Sequence, residues 1–221
     1  MKDPKCAECR QKYCTQETID IKLLPSFCPL KNSKDLIDEV KKKYQPEEIH
    51  DFFLNAALTE KEAYNEKAAR EEGKTIPVRP RIREIAEFAK KINAKKLGIA
   101  FCSGLADEAA RASSILRSHG LEISSVVCCC GGLDKTELGI PSEYKIRKPD
   151  TFEAACNPLL QAELLNKSET DFNIIIGLCI GHDMLFTKYS NAPVTTLVVK
   201  DRFTGHNPVI SLYTKYHKNI I

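Results

Sequence analysis

Ten cysteines fall into two groups, and both placements point to metal or redox chemistry rather than to cross-linking. Cys6, Cys9, Cys14 and Cys28 form a C-x2-C-x4-C-x13-C series, with the short spacings that zinc or iron–sulfur ligation uses. The other six, Cys102, Cys128, Cys129, Cys130, Cys156 and Cys179, stand at the ends of apolar runs or in the loops beside them. Cys102, Cys128, Cys156 and Cys179 come from four separate loops, as a cluster held inside a fold requires. Consecutive residues of an extended chain face opposite ways, so Cys128, Cys129 and Cys130 cannot all aim at one metal without a turn. Soft thiolates select iron–sulfur, zinc or copper(I) over hard cations.

Polar residues capable of chemistry lie close to two of these positions. In Gly177-Leu178-Cys179-Ile180-Gly181-His182-Asp183, the glycines allow close backbone approach, and the amides that open the following helix suit sulfide or another anion. His182 can act as acid, base or ligand, and Asp183 can orient it or cap the helix. Downstream, Lys200, Arg202 and His206 are candidate anion or substrate contacts, while Asn207 caps and Pro208 opens a last helix. His182, Asp183, Lys200, Arg202 and His206 are therefore the catalytic candidates. Lys135 and the Lys145, Arg147, Lys148 cluster add positive charge. No phosphate loop, dinucleotide fingerprint or serine elbow is present, so nucleotide dependence has no support.

The elements that must position these groups are legible as periodicity. Residues 1–30 are cysteine-rich and too polar to build a core, so a bound metal would supply the missing cross-link. Residues 31–95 form a helical segment, with one helix expected over Glu47–Arg70 and a second over Arg81–Ala94. Residues 96–221 alternate strands (Leu97–Cys102, Leu121–Cys128, Phe172–Leu178, Val194–Val199) with helices (Leu105–His119, Asn157–Asn166, Asp183–Tyr189, Asn207–His217). That alternation predicts an α/β fold, a small Rossmann-like sandwich with a mainly parallel sheet of about four strands. Ligands of such sheets bind outside the carboxyl ends of the strands, which is where the cysteines fall.

Lys and Arg number 33 against 30 Asp and Glu, giving a net charge of +3 with both signs interspersed, so no nucleic-acid partner is expected. With no secretory or membrane-spanning apolar stretch, the expected location is the cytoplasm, where disulfides are disfavoured.

The segments AFCSGL at 100–105, CNPLLQAELLN at 156–166, GLCIGHDMLFTKYSNAPVTTLVVKDR at 177–202 and HNP at 206–208, with the N-terminal cysteines, resemble a prokaryotic family of uncharacterised proteins. It is domain of unknown function 1847, whose members are described as predicted metal-binding proteins. The resemblance spans essentially the whole chain, implies metal binding and favours Cys102, Cys128, Cys156 and Cys179 over Cys129 and Cys130. It implies no particular reaction. The sequence reading is an iron–sulfur (4Fe-4S) protein acting on a small anionic or sulfur-containing ligand, with zinc as the other metal for Cys6, Cys9, Cys14 and Cys28. The alternative is a non-catalytic zinc protein. A metal-free thiol-redox role for Cys6 and Cys9 lacks the strand-to-helix context of such motifs.

Overall fold

The computed structural model describes residues 3–214, and the chain divides into two compact units, Met1–Leu58 and Thr59–Ile221. The first holds three short 3-10 turns and then α1 (Pro29–Asn32) and α2 (Lys34–Lys43). Leu36, Ile37, Val40 and Tyr44 of this unit line an apolar groove with Phe27, and Tyr44 stacks obliquely on Phe53 with ring centroids 4.9 Å apart.

The helix expected over Glu47–Arg70 is two helices, α3 (Glu47–Glu62) and α4 (Glu66–Glu72), with Gly73 ending the second in the left-handed region. The break comes from the proline-containing segment that follows. Val78 N–H donates to the Ala63 carbonyl and Asn65 N–H to the Ile76 carbonyl, which draws the chain out of its helical path. Asn65 then caps α4, accepting from Ala68 N–H at 3.1 Å.

From α5 (Arg81–Lys91) onward the chain alternates as expected: β1 (Lys96–Phe101), α6 (Ala106–Ser118), β2 (Glu122–Val127), α7 (Pro158–Lys167), β3 (Phe172–Ile176), α8 (His182–Tyr189), β4 (Val194–Val198) and α9 (Val209–Tyr213). All pairings are parallel, and the strand order is β2-β1-β3-β4. α5 packs with α6 and α7 with α8, the pairs that right-handed crossovers put on opposite faces. β1 and β3 are the inner strands, and Leu97, Ile99, Ile174 and Ile176 are fully buried. Arg81 closes part of the β4 edge, its Nε donating to the Thr196 carbonyl at 2.7 Å and its terminal nitrogen to Thr195 Oγ1 at 2.9 Å. The last helix is shorter than expected and starts after Pro208. The stretch beyond Thr214, to which the expected helix ran, lies outside the described residues.

Two polar devices set the frame of the strand ends. Beneath the sheet, the fully buried Asn173 accepts from Thr170 Oγ1 and donates to Ser190 Oγ, each at 2.8 Å. It occupies the space beside Gly98, where a Cβ would sit 1.8 Å from Asn173 Oδ1. The second device anchors the long connection between β2 and α7. Asp134 caps a 3-10 turn, pairs with Ala154 in an isolated bridge and binds Lys145 at 2.8 Å; Glu153 binds Lys135 and the amides of Ile146 and Arg147. Lys135 and Lys145, expected as free positive charge, are thus spent on holding this connection. Their ion pairs are largely buried.

Two outcomes are expected. Gly98→Ala should destabilise the α/β unit by about 2–3 kcal/mol through overpacking against Asn173, read as a lower denaturant midpoint. The Lys135 ammonium holds the Glu153 carboxyl down at about 2, against an ordinary 4.5, and the Lys145 ammonium also lowers that of Asp134. A depressed carboxyl stabilises above its unfolded value and loses that contribution as pH falls. Protection of the amides across 134–154, corrected for their intrinsic exchange rates, should therefore fall between about pH 4.5 and pH 2, and Glu153→Gln should flatten its part of that dependence.

Candidate functional site

The sheet places its reactive residues at one edge because every strand runs the same way. Cys102 follows β1, Cys128 follows β2, Cys179 lies just past β3, and Lys200 and Arg202 follow β4. β1 leads by its crossover to β2 on one side, while β3 lies on the other. The carboxyl ends of β1 and β3 therefore flank the switch point at which open parallel sheets bind ligands. Cys102 N–H donates to the Ile176 carbonyl and Gly177 N–H to that of Val198, so ladder bonding continues right up to the site.

Each of these two thiols has a cation. Lys200 Nζ lies 3.2 Å from Cys102 Sγ, and an Arg202 terminal nitrogen lies 2.8 Å from Cys179 Sγ. Lys200 reaches Cys102 past two residues that lack side chains. A Cβ on Gly177 would stand 3.6 Å from Lys200 Cδ and 2.0 Å from Leu105 Cδ1, and one on Gly104 would stand 3.7 Å from Lys200 Nζ. Gly177 also has φ +66, a conformation that favours glycine. The turn carrying both cations is stapled by its own residues. The amides of Phe203 and Thr204 donate to Asp201 Oδ1, and the Asp201 amide donates to His206 Nδ1 at 3.1 Å. The His206 amide returns a bond to the Asp201 carbonyl at 2.7 Å. In this structure His206 shapes the turn that aims Lys200 and Arg202.

Cys128 and Cys156 form the other half. Asn157 caps α7 by accepting from Leu160 N–H, Pro158 opens the helix, and Asn157 N–H donates to the Cys128 carbonyl at 2.6 Å. That bond lays Cys156 beside Cys128. The neighbouring Cys156 thiol is the largest influence lowering the Cys128 pKa, and Cys128 the largest raising that of Cys156; the Ser103 amide, 3.4 Å from Cys128 Sγ, adds to the first effect. Burial and the charges of Cys128, Cys179 and Cys102 push Cys156 further up. Cys128 therefore interacts with Cys102 and Cys156, and Cys156 with Cys102 and Cys179. Cys129 and Cys130 lie in the turn after β2. Burial raises both thiols, and the Cys130 sulfur faces the Asn157 carbonyl at 3.9 Å.

His182 is the first residue of α8, and its backbone N–H and that of Asp183 both donate to the Cys179 carbonyl. His182 Nδ1 is buried without a hydrogen-bond partner. Gly181, with positive φ, occupies the cap position that was one of the two roles open to Asp183. The Asp183 carboxylate instead accepts from the Met184 amide at 2.8 Å.

The N-terminal cysteines lie in the other unit. Cys6 and Cys14 are exposed and Cys9 and Cys28 half-buried, with Cys28 preceding Pro29 at the start of α1. Among the described residues, no three His, Cys, Asp or Glu side chains stand in an arrangement that could hold a metal ion. Four soft thiols do lie along the strand-end edge, two of them each against a cation. The sequence signals missed the Lys135–Glu153 and Lys145–Asp134 pairs, because the partners lie 18 and 11 positions apart with no periodic pattern. They also missed the staple between Asp201 and His206.

A family model described as "Protein of unknown function (DUF1847)" matches residues 28–197, a span containing all six strand-end and turn cysteines but not Cys6, Cys9 or Cys14. An uncharacterized protein of Methanocaldococcus jannaschii is 42% identical over 213 residues, covering 96% of this chain and 95% of its own length. The chain belongs to the DUF1847 family.

Proposed function

We propose that Cys102, Cys128, Cys156 and Cys179 hold a soft metal centre, an iron–sulfur cluster of the 4Fe-4S type, at the carboxyl edge of the sheet. What supports this reading is that Cys102, Cys128 and Cys179 leave the same carboxyl edge of the sheet, with Cys156 next to the residue bonded to Cys128, Lys200 against Cys102 and Arg202 against Cys179. Gathered thiolates repel one another, and two adjacent cations offset that repulsion. The sulfurs would close on the metal by side-chain rotation, at the expense of metal-binding free energy. Such a centre supplies electron-transfer or sulfur-transfer chemistry. Lys200 and Arg202 would draw a small anionic or sulfur-containing ligand to the same edge. His182 Nδ1, buried and unpartnered, is the atom that would hold or release a proton beside Cys179.

The N-terminal Cys6, Cys9, Cys14 and Cys28 are proposed as a second soft-metal group, of zinc or iron–sulfur type, whose ligation would order a segment with few apolar residues. A cytoplasmic setting, reducing enough to keep ten thiols free, goes with both assignments. Among the described residues no helix is long and apolar enough to cross a membrane.

Protein purified without oxygen should carry iron and acid-labile sulfide and absorb in the visible. Zinc alone after reconstitution with iron and sulfide would overturn the cluster. Cys102→Ser or Cys179→Ser should remove the strand-end iron and leave the far-ultraviolet circular dichroism unchanged. Lys200→Gln or Arg202→Gln should weaken metal retention by about tenfold, as lost neighbours of metal ligands commonly do, measured by competition with a chelator.

A further inference from the structure

The strand-end thiols differ in their partners, and the difference carries a second activity. Cys102 and Cys179 are each engaged by a cation, Lys200 and Arg202, whereas Cys128 and Cys156 stand on segments joined by a backbone bond. The Asn157-to-Cys128 backbone bond of 2.6 Å brings the two chain segments to hydrogen-bonding separation. The residue that follows Cys156 is thus bonded to Cys128 itself, which makes the two cysteines neighbours across the adjoining segments and candidates for a disulfide. A second bond, from Ala155 N–H to the Leu133 carbonyl at 2.9 Å, and the Asp134–Ala154 bridge hold the same two segments together. Cys128 is 5% exposed, and Cys156 is the more accessible of the two. A reagent from solution therefore meets Cys156 first, with Cys128 on the adjoining segment.

We propose that, in the metal-free form of the protein, Cys128 and Cys156 are a dithiol–disulfide redox couple whose exchange partner is a low-molecular-weight disulfide bearing carboxylates. The Cys156 sulfur attacks one sulfur of the small disulfide RSSR. An S–S bond forms to the protein, the RS–SR bond breaks, and the leaving thiolate takes the proton that Cys156 gives up. Cys128 then attacks the Cys156 sulfur, and the second thiolate leaves with the Cys128 proton. The dithiol is oxidised by two electrons, and RSSR is reduced to two RSH. Carboxylates on the partner answer to Lys200 and Arg202, since Cys156 lies within electrostatic reach of the two thiols these cations hold.

The couple needs no metal, so its test uses metal-free full-length protein, stripped with chelator under argon, and its failure is separate from failure of the cluster assignment. The protein is incubated with oxidised glutathione or with cystamine, which carries amines instead of carboxylates, quenched by alkylation and mapped by mass spectrometry. The expected product is a peptide containing residue 128 linked to one containing residue 156. It should be lost in Cys128→Ala and Cys156→Ala and retained in Cys129→Ala and Cys130→Ala, which separates the three adjacent cysteines. Far-ultraviolet circular dichroism of each variant establishes that it is folded. Oxidised glutathione should react about tenfold faster than cystamine, with the difference shrinking as salt is raised. Absence of the link, or a link that runs through Cys129, Cys130 or Cys102, overturns the couple. Equal rates, or a faster reaction with cystamine, overturn the carboxylate-bearing partner.

Discussion

β1 is paired in parallel with β2 on one side and with β3 on the other, and the direction of those two ladders decides where sequence-distant cysteines end up. Were either neighbour antiparallel, its terminal cysteine would leave the sheet at the opposite edge, some 15–20 Å away for strands of this length. The burial that enforces the arrangement is concentrated in β1 and β3, whose inner residues are apolar on both faces, as a sheet covered by helices on both sides requires. Asn173 is the exception, and it is tolerated because its amide is satisfied on both ends.

Given that geometry, electrostatics divides the site. Lys200 and Arg202 are two residues apart where the chain leaves β4 and enters its turn, and serve two sulfurs that follow different strands. Neither long side chain would stay on target from a mobile loop without losing rotamer entropy. The turn closed by Asp201 and His206 fixes the backbone beneath them. Among the described residues, no such cation is bonded to Cys128 or Cys156. Cys128 instead accepts from the Ser103 amide, and the pair depends the more on the placement of the β2–α7 connection.

The sequence discloses this architecture where it is periodic and local. Strand runs such as Phe172–Ile176, and the glycines, prolines and asparagines at their ends, are read within a residue or two of the observed bounds. Because parallel order and strand direction follow from the alternation of elements, the common edge of Cys102, Cys128 and Cys179 was legible as well. Cys156 was expected in the loop that leads into a helix, and it stands there, two residues before Pro158. Long-range competition was not legible. The continuous pattern of Glu47–Arg70 gives no sign that Ile76 and Val78 will claim backbone partners at Asn65 and Ala63. Nor do Lys135 and Lys145 differ in sequence from solvated lysines, although they are folded onto Glu153 and Asp134. The role of His206 was hidden for the same reason, since a ring that accepts from a nearby amide looks in sequence like one that faces a ligand.

Arg81 on the β4 edge has a further consequence, for how this protein avoids open-ended polymerisation. An edge strand with free carbonyls is a template for another chain, and natural sheets blunt such edges with charge. Here the Thr196 carbonyl is already taken by a guanidinium that also grips the Thr195 hydroxyl. A foreign strand must break a charge-assisted bond before it can add to β4, so crowding alone gives it little purchase on this side of the sheet.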